Sequence, residues 1–212
     1  SGVYILDENS GKELAHYSSH EKSSPFVNDF VFDIYKDSHG NIWVGGVNTE
    51  IICYLSRENK FEKYSYQPLN AFAELNPREM LLGCTYGLCL SDNETKKSKI
   101  LIECLVHDIL VMDGIIWVGT SGDGLIRYDA KSGKSEMYTT ESGLPSNFVN
   151  SITSADGYLW LGTENGLCRF NANDKSVVTF PSILSLSRSS FNRNCHFKLR
   201  NGQLAWGTNN GA

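Results

Sequence analysis

The side chains that could do chemistry are few and scattered. The five histidines are His16, His20, His39, His107 and His196, and the six cysteines are Cys53, Cys84, Cys89, Cys104, Cys168 and Cys195. Zinc sites draw on closely spaced ligand pairs, and no C-x-x-C pair occurs here. Most of the cysteines stand in apolar, strand-like runs, where a free thiol serves as a small apolar side chain. The sequence therefore predicts no metal and no cofactor. It also lacks a Gly-x-Ser-x-Gly elbow, a Walker loop and a His-Glu-x-x-His motif. Four carboxylates, Asp29, Asp108, Asp123 and Glu164, could converge for acid–base work, but scattered carboxylates more often build turns. The pattern fits recognition better than catalysis. Amides, carboxylates, an arginine and aromatic rings are what sugar hydroxyls and ring faces bind, and Asp123, Asn147, Glu164, Asn165, Arg193 and Asn194 supply the polar part of such a set.

Composition narrows the partners. The 212 residues are 41% hydrophobic and 20% charged, with a formal net charge of −5. That balance is globular, and it argues against a nucleic-acid partner, which calls for a basic face. Lys96, Lys97 and Lys99 form the one positive cluster, read as a solvated turn. No apolar run approaches the ~18 residues of a membrane span. The opening Ser1, Gly2, Val3 and Tyr4 read as a turn entering a strand, with no leader, so the chain is expected to be a piece of something longer.

The elements that must position these side chains come from an internal repeat. Residues Asp113, Gly114, Ile115, Ile116, Trp117, Val118, Gly119 and Thr120, then Gly124 to Asp129, are answered by Asp156, Gly157, Tyr158, Leu159, Trp160, Leu161, Gly162 and Thr163, then Gly166 to Asn171. An earlier copy contains Trp43, Val44, Gly45 and Gly46. A degenerate one contains Leu82, Gly83, Cys84 and Thr85, and a last one Trp206, Gly207 and Thr208. The anchoring glycines, Gly45, Gly83, Gly119, Gly162 and Gly207, recur about every 40 residues, the period of a propeller blade. Alternation rather than helical spacing prevails within each unit.

Each unit divides into four strands, A to D. Asp-Gly makes the tight A–B turn, Trp-x-Gly-Thr is strand B, and an aromatic, Tyr64, Tyr138 or Phe180, ends strand D. Trp43, Trp117 and Trp160 recur at one repeat position and are read as inter-blade packing rather than sugar platforms. The expected fold is all-β: a β-propeller of four-stranded antiparallel blades near 26–66, 68–103, 104–140 and 147–181. A split blade would combine 2–19 with 194–209, since Gly2 and Gly211 stand at the same repeat phase. A piece of a larger ring is expected to leave an open arc.

The run Gly143, Leu144, Pro145, Ser146, Asn147, Phe148 and Val149, followed by Ile152, Asp156, Gly157, Trp160 to Thr163, Gly166 and Leu167, resembles the two-component regulator propeller repeat. The resemblance is clearest over 104–180 and weaker over 67–103. Residues 191–197 and 207–211 resemble the repeats near the end of such a region. The resemblance implies the periplasmic sensor region of a hybrid two-component system histidine kinase of Bacteroides type, responding to glycan breakdown products. It implies a kinase outside this chain, and a ring of about seven blades of which this chain would hold roughly five.

In a propeller, the D–A and B–C loops share one face around the axis. The B–C loops hold Asn48, Glu50, Tyr86, Asp123, Glu164, Asn165, Asn209 and Asn210, and the D–A loops hold Asn28, Asp29, Asn147, Phe148, Arg193 and Asn194. The expected function is recognition of an oligosaccharide on that face, with the signal passed to the kinase. A structural or dimerising propeller that binds only protein is the alternative, and a glycan-cleaving propeller the third. Other propeller and linker domains of the same chain, and a homodimer, are the further partners expected.

Overall fold

A computed structural model describes residues 2–22, 24–27, 29–46, 50–66, 68–180 and 189–209. Asn28, Asn48, Asn210 and Gly211, named above, lie outside the described residues. The chain opens with a hairpin, β1 (Val3–Leu6) and β2 (Glu13–Tyr17). Four four-stranded sheets follow in chain order. The first is β3 (Val31–Lys36), β4 (Ile42–Gly46), β5 (Glu50–Leu55) and β6 (Lys60–Tyr66). The second is β7 (Leu69–Asn76), β8 (Glu79–Cys84), β9 (Leu88–Asp92) and β10 (Ser98–Ile102). The third is β11 (Val106–Met112), β12 (Ile115–Thr120), β13 (Leu125–Asp129) and β14 (Ser135–Tyr138). The fourth is β15 (Val149–Ala155), β16 (Tyr158–Thr163), β17 (Gly166–Phe170) and β18 (Val177–Thr179). A last hairpin joins β19 (Phe191–Lys198) to β20 (Leu204–Thr208). Every pairing is antiparallel between sequence neighbours, as in propeller blades.

The repeat motif explains this geometry locally. Asp113-Gly114 and Asp156-Gly157 carry positive φ at both positions, 52° and 76° in one, 52° and 78° in the other, the conformation of a two-residue hairpin turn. In strand B the glycine has a different task, close approach between blades. A Cβ on Gly119 would stand 2.7 Å from the Val149 carbonyl oxygen, and one on Gly162 would stand 2.9 Å from Phe191 Cβ. Both contacts are with the inner strand of the next blade, so the glycine sets the inter-blade distance. The threonine after it holds the B–C loop: Thr120 Oγ1 donates to the Gly124 carbonyl and Thr163 Oγ1 to the Gly166 carbonyl.

The blades pack face to face through apolar clusters. Trp43 and Trp117 are buried at 2% and 1% exposure. Trp117 meets Phe170 and Tyr138, with Phe170 between them at 5.7 and 4.8 Å. Trp160 is half-buried and stacks on Phe180 at 5.6 Å with nearly parallel rings. All six cysteines are free. Cys53, Cys84, Cys89 and Cys168 are buried as expected, Cys104 is partly so, and Cys195 departs from the expectation by being exposed.

The two terminal hairpins, which share a repeat phase, form separate two-stranded sheets. Their turns meet in an Arg200–Glu8 ion pair at 3.8 Å. On the inner rim the Asn194 side chain lies near Asp33 and acts to lower its carboxyl pKa.

Candidate functional site

The inner strands β3, β7, β11, β15 and β19 line the axis, and each carries a bulge at its entry end, next to the D–A and B–C loops. In four of them a single residue is skipped in the register: Phe32, Asn70, His107 and Asn150. A bulge re-aims the side chain it inserts, here away from the inter-blade core. Asn70 Nδ2 donates to the Val106 carbonyl and Asn150 Nδ2 to the Phe191 carbonyl, both at 2.7 Å, tying each inner strand to the next. His107 is fully buried beside the Asn150 amide and the Val149 carbonyl, with neither ring nitrogen in a completed hydrogen bond. Phe32, by contrast, is 52% exposed.

The bulge of β19 is larger. Phe191 pairs with Thr208 and His196 with Trp206, so residues 192–195 stand opposite Gly207 alone. Asn194 takes a positive φ of 45° there. Gly207 makes room for the excursion, since a Cβ on it would lie 2.3 Å from Cys195 Sγ. The outcome is an axial cavity of about 380 Å3 lined by Phe32, Asn70, Arg193 and Asn194.

Beneath this cavity lies a polar network. Asp108 Oδ2 accepts from the Ile152 N–H at 2.6 Å and sits 3.0 Å from His196 Nε2, while Oδ1 accepts from the Ile109 N–H at 2.7 Å. Asp33 accepts from the Phe72 N–H at 2.8 Å. These aspartates recur in alternate blades and perform the same cross-blade task. Burial pushes the Asp33 carboxyl up to about 6; the Phe72 N–H opposes this and the Asp108 charge adds to it. Burial, joined by the Arg193 charge, lowers His107 to about 4, so that ring is neutral. For His196 burial disfavours the imidazolium, but the hydrogen bond and charge of Asp108, with the Asp33 charge, prevail and raise its pKa.

The six residues singled out from the sequence fall into two groups. Arg193 and Asn194 line the axial cavity. The other four belong to the loop rim of the third and fourth sheets. Asn147 Oδ1 accepts from the Thr140 N–H, and its carbonyl accepts from Gly122 and Gly124. Asp123 and Asn165 have their backbone N–H groups on Thr120 and Thr163, and Asn165 Nδ2 donates to the Pro145 carbonyl at 3.1 Å. The Glu164 N–H donates to the Phe148 carbonyl, and its side chain is exposed. Of the carboxylates that could have converged, Asp108 has its oxygens taken as above, and Asp29 accepts from the Ser19 N–H at 2.6 Å. Sequence reading missed Phe32 and Asn70 in the cavity. The available signal was their position, one residue into each inner strand.

Comparison with known proteins bears on this arrangement. The two component regulator propeller model matches residues 25–48 and 143–165. A histidine kinase, P4, from Formosa agariphila is 22% identical over 229 residues, covering 96% of this chain and 17% of its own length. The extracellular domain of the hybrid two component system BT4673 from B. thetaiotaomicron superposes with a TM-score of 0.70 at 22% identity, over 84% of this chain and 25% of that one. The corresponding domain of BT3049 from the same organism gives 0.70 at 19% identity, over 93% and 29%. The chain thus spans about a sixth of the kinase and about a quarter of those solved chains. It has a β-propeller fold, in which residues 25–48 and 143–165 match the two-component regulator propeller repeat.

Proposed function

We propose that this chain is an extracytoplasmic sensor module of a two-component regulator, in the periplasm, that recognises a short oligosaccharide at its axial opening and passes the signal to a kinase outside this chain. The observation that carries the reading is the axial cavity. It combines an exposed aromatic face, Phe32, with an arginine and two amides, on strands fixed by cross-blade hydrogen bonds. A concave site with a few convergent polar groups is what a small ligand requires. The likeness in fold to extracellular domains of hybrid two component systems supports the extracytoplasmic placement. Binding is expected to be on the order of micromolar, because sugar hydroxyls exchange water hydrogen bonds for protein ones at small net gain. Calorimetric titration against plant and host oligosaccharides, with chromatography of the products, tests it. Saturable binding without turnover is the expected result. Shortened products would support a glycan-cleaving propeller instead.

A second reading has its own observation. The first hairpin and the first sheet enclose an apolar groove of about 420 Å3, lined among others by Tyr4, Leu6, Ile34, Tyr54 and Phe61. Tyr4, Leu6 and Ile34 are each at least half exposed. Such a surface suits a protein partner, either a neighbouring domain or a second copy. Concentration-dependent sedimentation, with no glycan bound by any member of the panel, would favour this reading.

A further inference from the structure

The charges around the axis are not equally provided for. Asp108 receives the Ile109 and Ile152 N–H groups and faces His196. Asp33 receives the Phe72 N–H and has the Asn194 side chain nearby. His107 lies fully buried beside Arg193, and that charge helps keep its ring neutral. Arg193 itself is exposed on the wide bulge of β19 and has no carboxylate within ion-pair distance among the described residues. Among the described residues the axis therefore holds two carboxylates that already have donors and, in Arg193, a guanidinium without an anion.

The surroundings of Arg193 select further. Phe32 offers a ring face in the same cavity, and Asn70 and Asn194 stand beside it. One Asn70 amide N–H is committed to Val106, which leaves the second N–H and the carbonyl oxygen for ligand hydroxyls. A guanidinium binds a planar or tetrahedral oxyanion through two parallel N–H groups, about twice as strongly as a neutral hydrogen bond. An apolar ring face beside it fits the C–H face of a pyranose. The cavity, about 380 Å3, has room for one or two sugar rings.

We propose that the axial cavity takes an acidic sugar, with the carboxylate or sulfate of the ligand on Arg193 and its ring against Phe32. This rests on the reading of the axial opening as the ligand site and specifies the class of ligand. An uncharged glycan would leave the Arg193 guanidinium without an anion, whereas an acidic one gives it a partner.

Matched probes that differ only in charge separate the possibilities. The protein is titrated with digalacturonic acid and its dimethyl ester, and with a sulfated galactose disaccharide and its desulfated form. At least one acid should bind tenfold or more tightly than its neutral partner, and that preference should shrink as salt is raised. Whichever acid shows the preference identifies carboxylate or sulfate as the group read. Arg193→Gln should abolish the preference, and Arg193→Lys should keep part of it. Equal binding of acid and neutral partners, or an acid preference unchanged in Arg193→Gln, would overturn the acidic-sugar inference and leave the axial site standing. Binding by none of the four, together with none across the wider neutral panel, would overturn both.

Discussion

The loop rim of the third and fourth sheets and the axial opening look alike in the sequence: short polar stretches rich in Asn and Asp beside an aromatic. The structure uses them differently. On the rim, Asn147, Asp123 and Asn165 tie loops together through side-chain and backbone hydrogen bonds, so much of their polar capacity is already engaged. At the axis the side chains are displaced by bulges, and Phe32 and Arg193 are left with exposed surface and no intramolecular polar partner recorded among the described residues. Polar residues in turns mostly satisfy the turn. A bulge interrupts a ladder and re-aims a side chain: Asn70 and Asn150 tie one inner strand to the next, whereas Phe32 and Arg193 keep exposed surface.

The contrast can be broken by mutation. The largest effect is expected at Asp108, the buried carboxylate that joins β11, β15 and β19. Asp108→Ala strands the buried Ile109 and Ile152 N–H groups and leaves a partly buried His196 without its partner, and should cost about 3 kcal/mol in urea unfolding, the low end for a broken buried pair. A loss under about 1 kcal/mol would show that the network does not hold the axis. On the rim, Asn147→Ala removes one acceptor from the Thr140 N–H and should cost about 1 kcal/mol without changing any glycan affinity. A loss of binding in that variant would return the rim to the site.

The pH dependence sharpens the axial half of the comparison. The Asp33 carboxyl sits at about 6, above the ~3.9 of an unfolded aspartate. Between those values the folded state binds a proton that the unfolded state does not, so this group adds stability as pH falls through 6 toward 4. His107, lowered to about 4 from an unfolded value near 6.5, acts in the opposite sense: its contribution is lost as pH falls across the same window. The two should largely offset one another. Asp33→Asn removes the first alone, so its unfolding midpoint should fall more steeply than that of the parent between pH 6 and pH 4. Parallel profiles would mean that Asp33 is not the perturbed group.

Most of the fold could be read from the chain because the repeat writes each structural task in a residue type. Asp-Gly marks the turn, the strand-B glycine the close approach and the following threonine the loop. The degenerate second copy, without a tryptophan, still builds a complete sheet, with Phe72 and Met80 supplying the apolar volume. There Ser91 stands where the fourth sheet has Phe170. Trp43 and Tyr64 then pack directly at 4.7 Å, and a cleft of about 380 Å3 is left beside them. The candidate site was less legible. A one-residue register skip shifts the alternation, so that apolar residues facing one glycine stand three apart, as Val149 and Ile152 do, and the residues it re-aims, Phe32, Asn70, His107 and Asn150, differ in type from blade to blade. Arg193 and Asn194 could be found because three consecutive polar residues interrupt the last inner strand; Phe32 had only its place one residue into β3 to mark it.

The most direct measurement is a map of amide chemical-shift changes in the 15N-labelled protein, saturated with the tightest-binding member of the oligosaccharide panel. The largest changes should fall on Phe32, Asn70, Arg193 and Asn194, with Asp123, Asn147, Glu164 and Asn165 little moved. Changes centred on those four rim residues, with the axial ones still, would contradict an axial site.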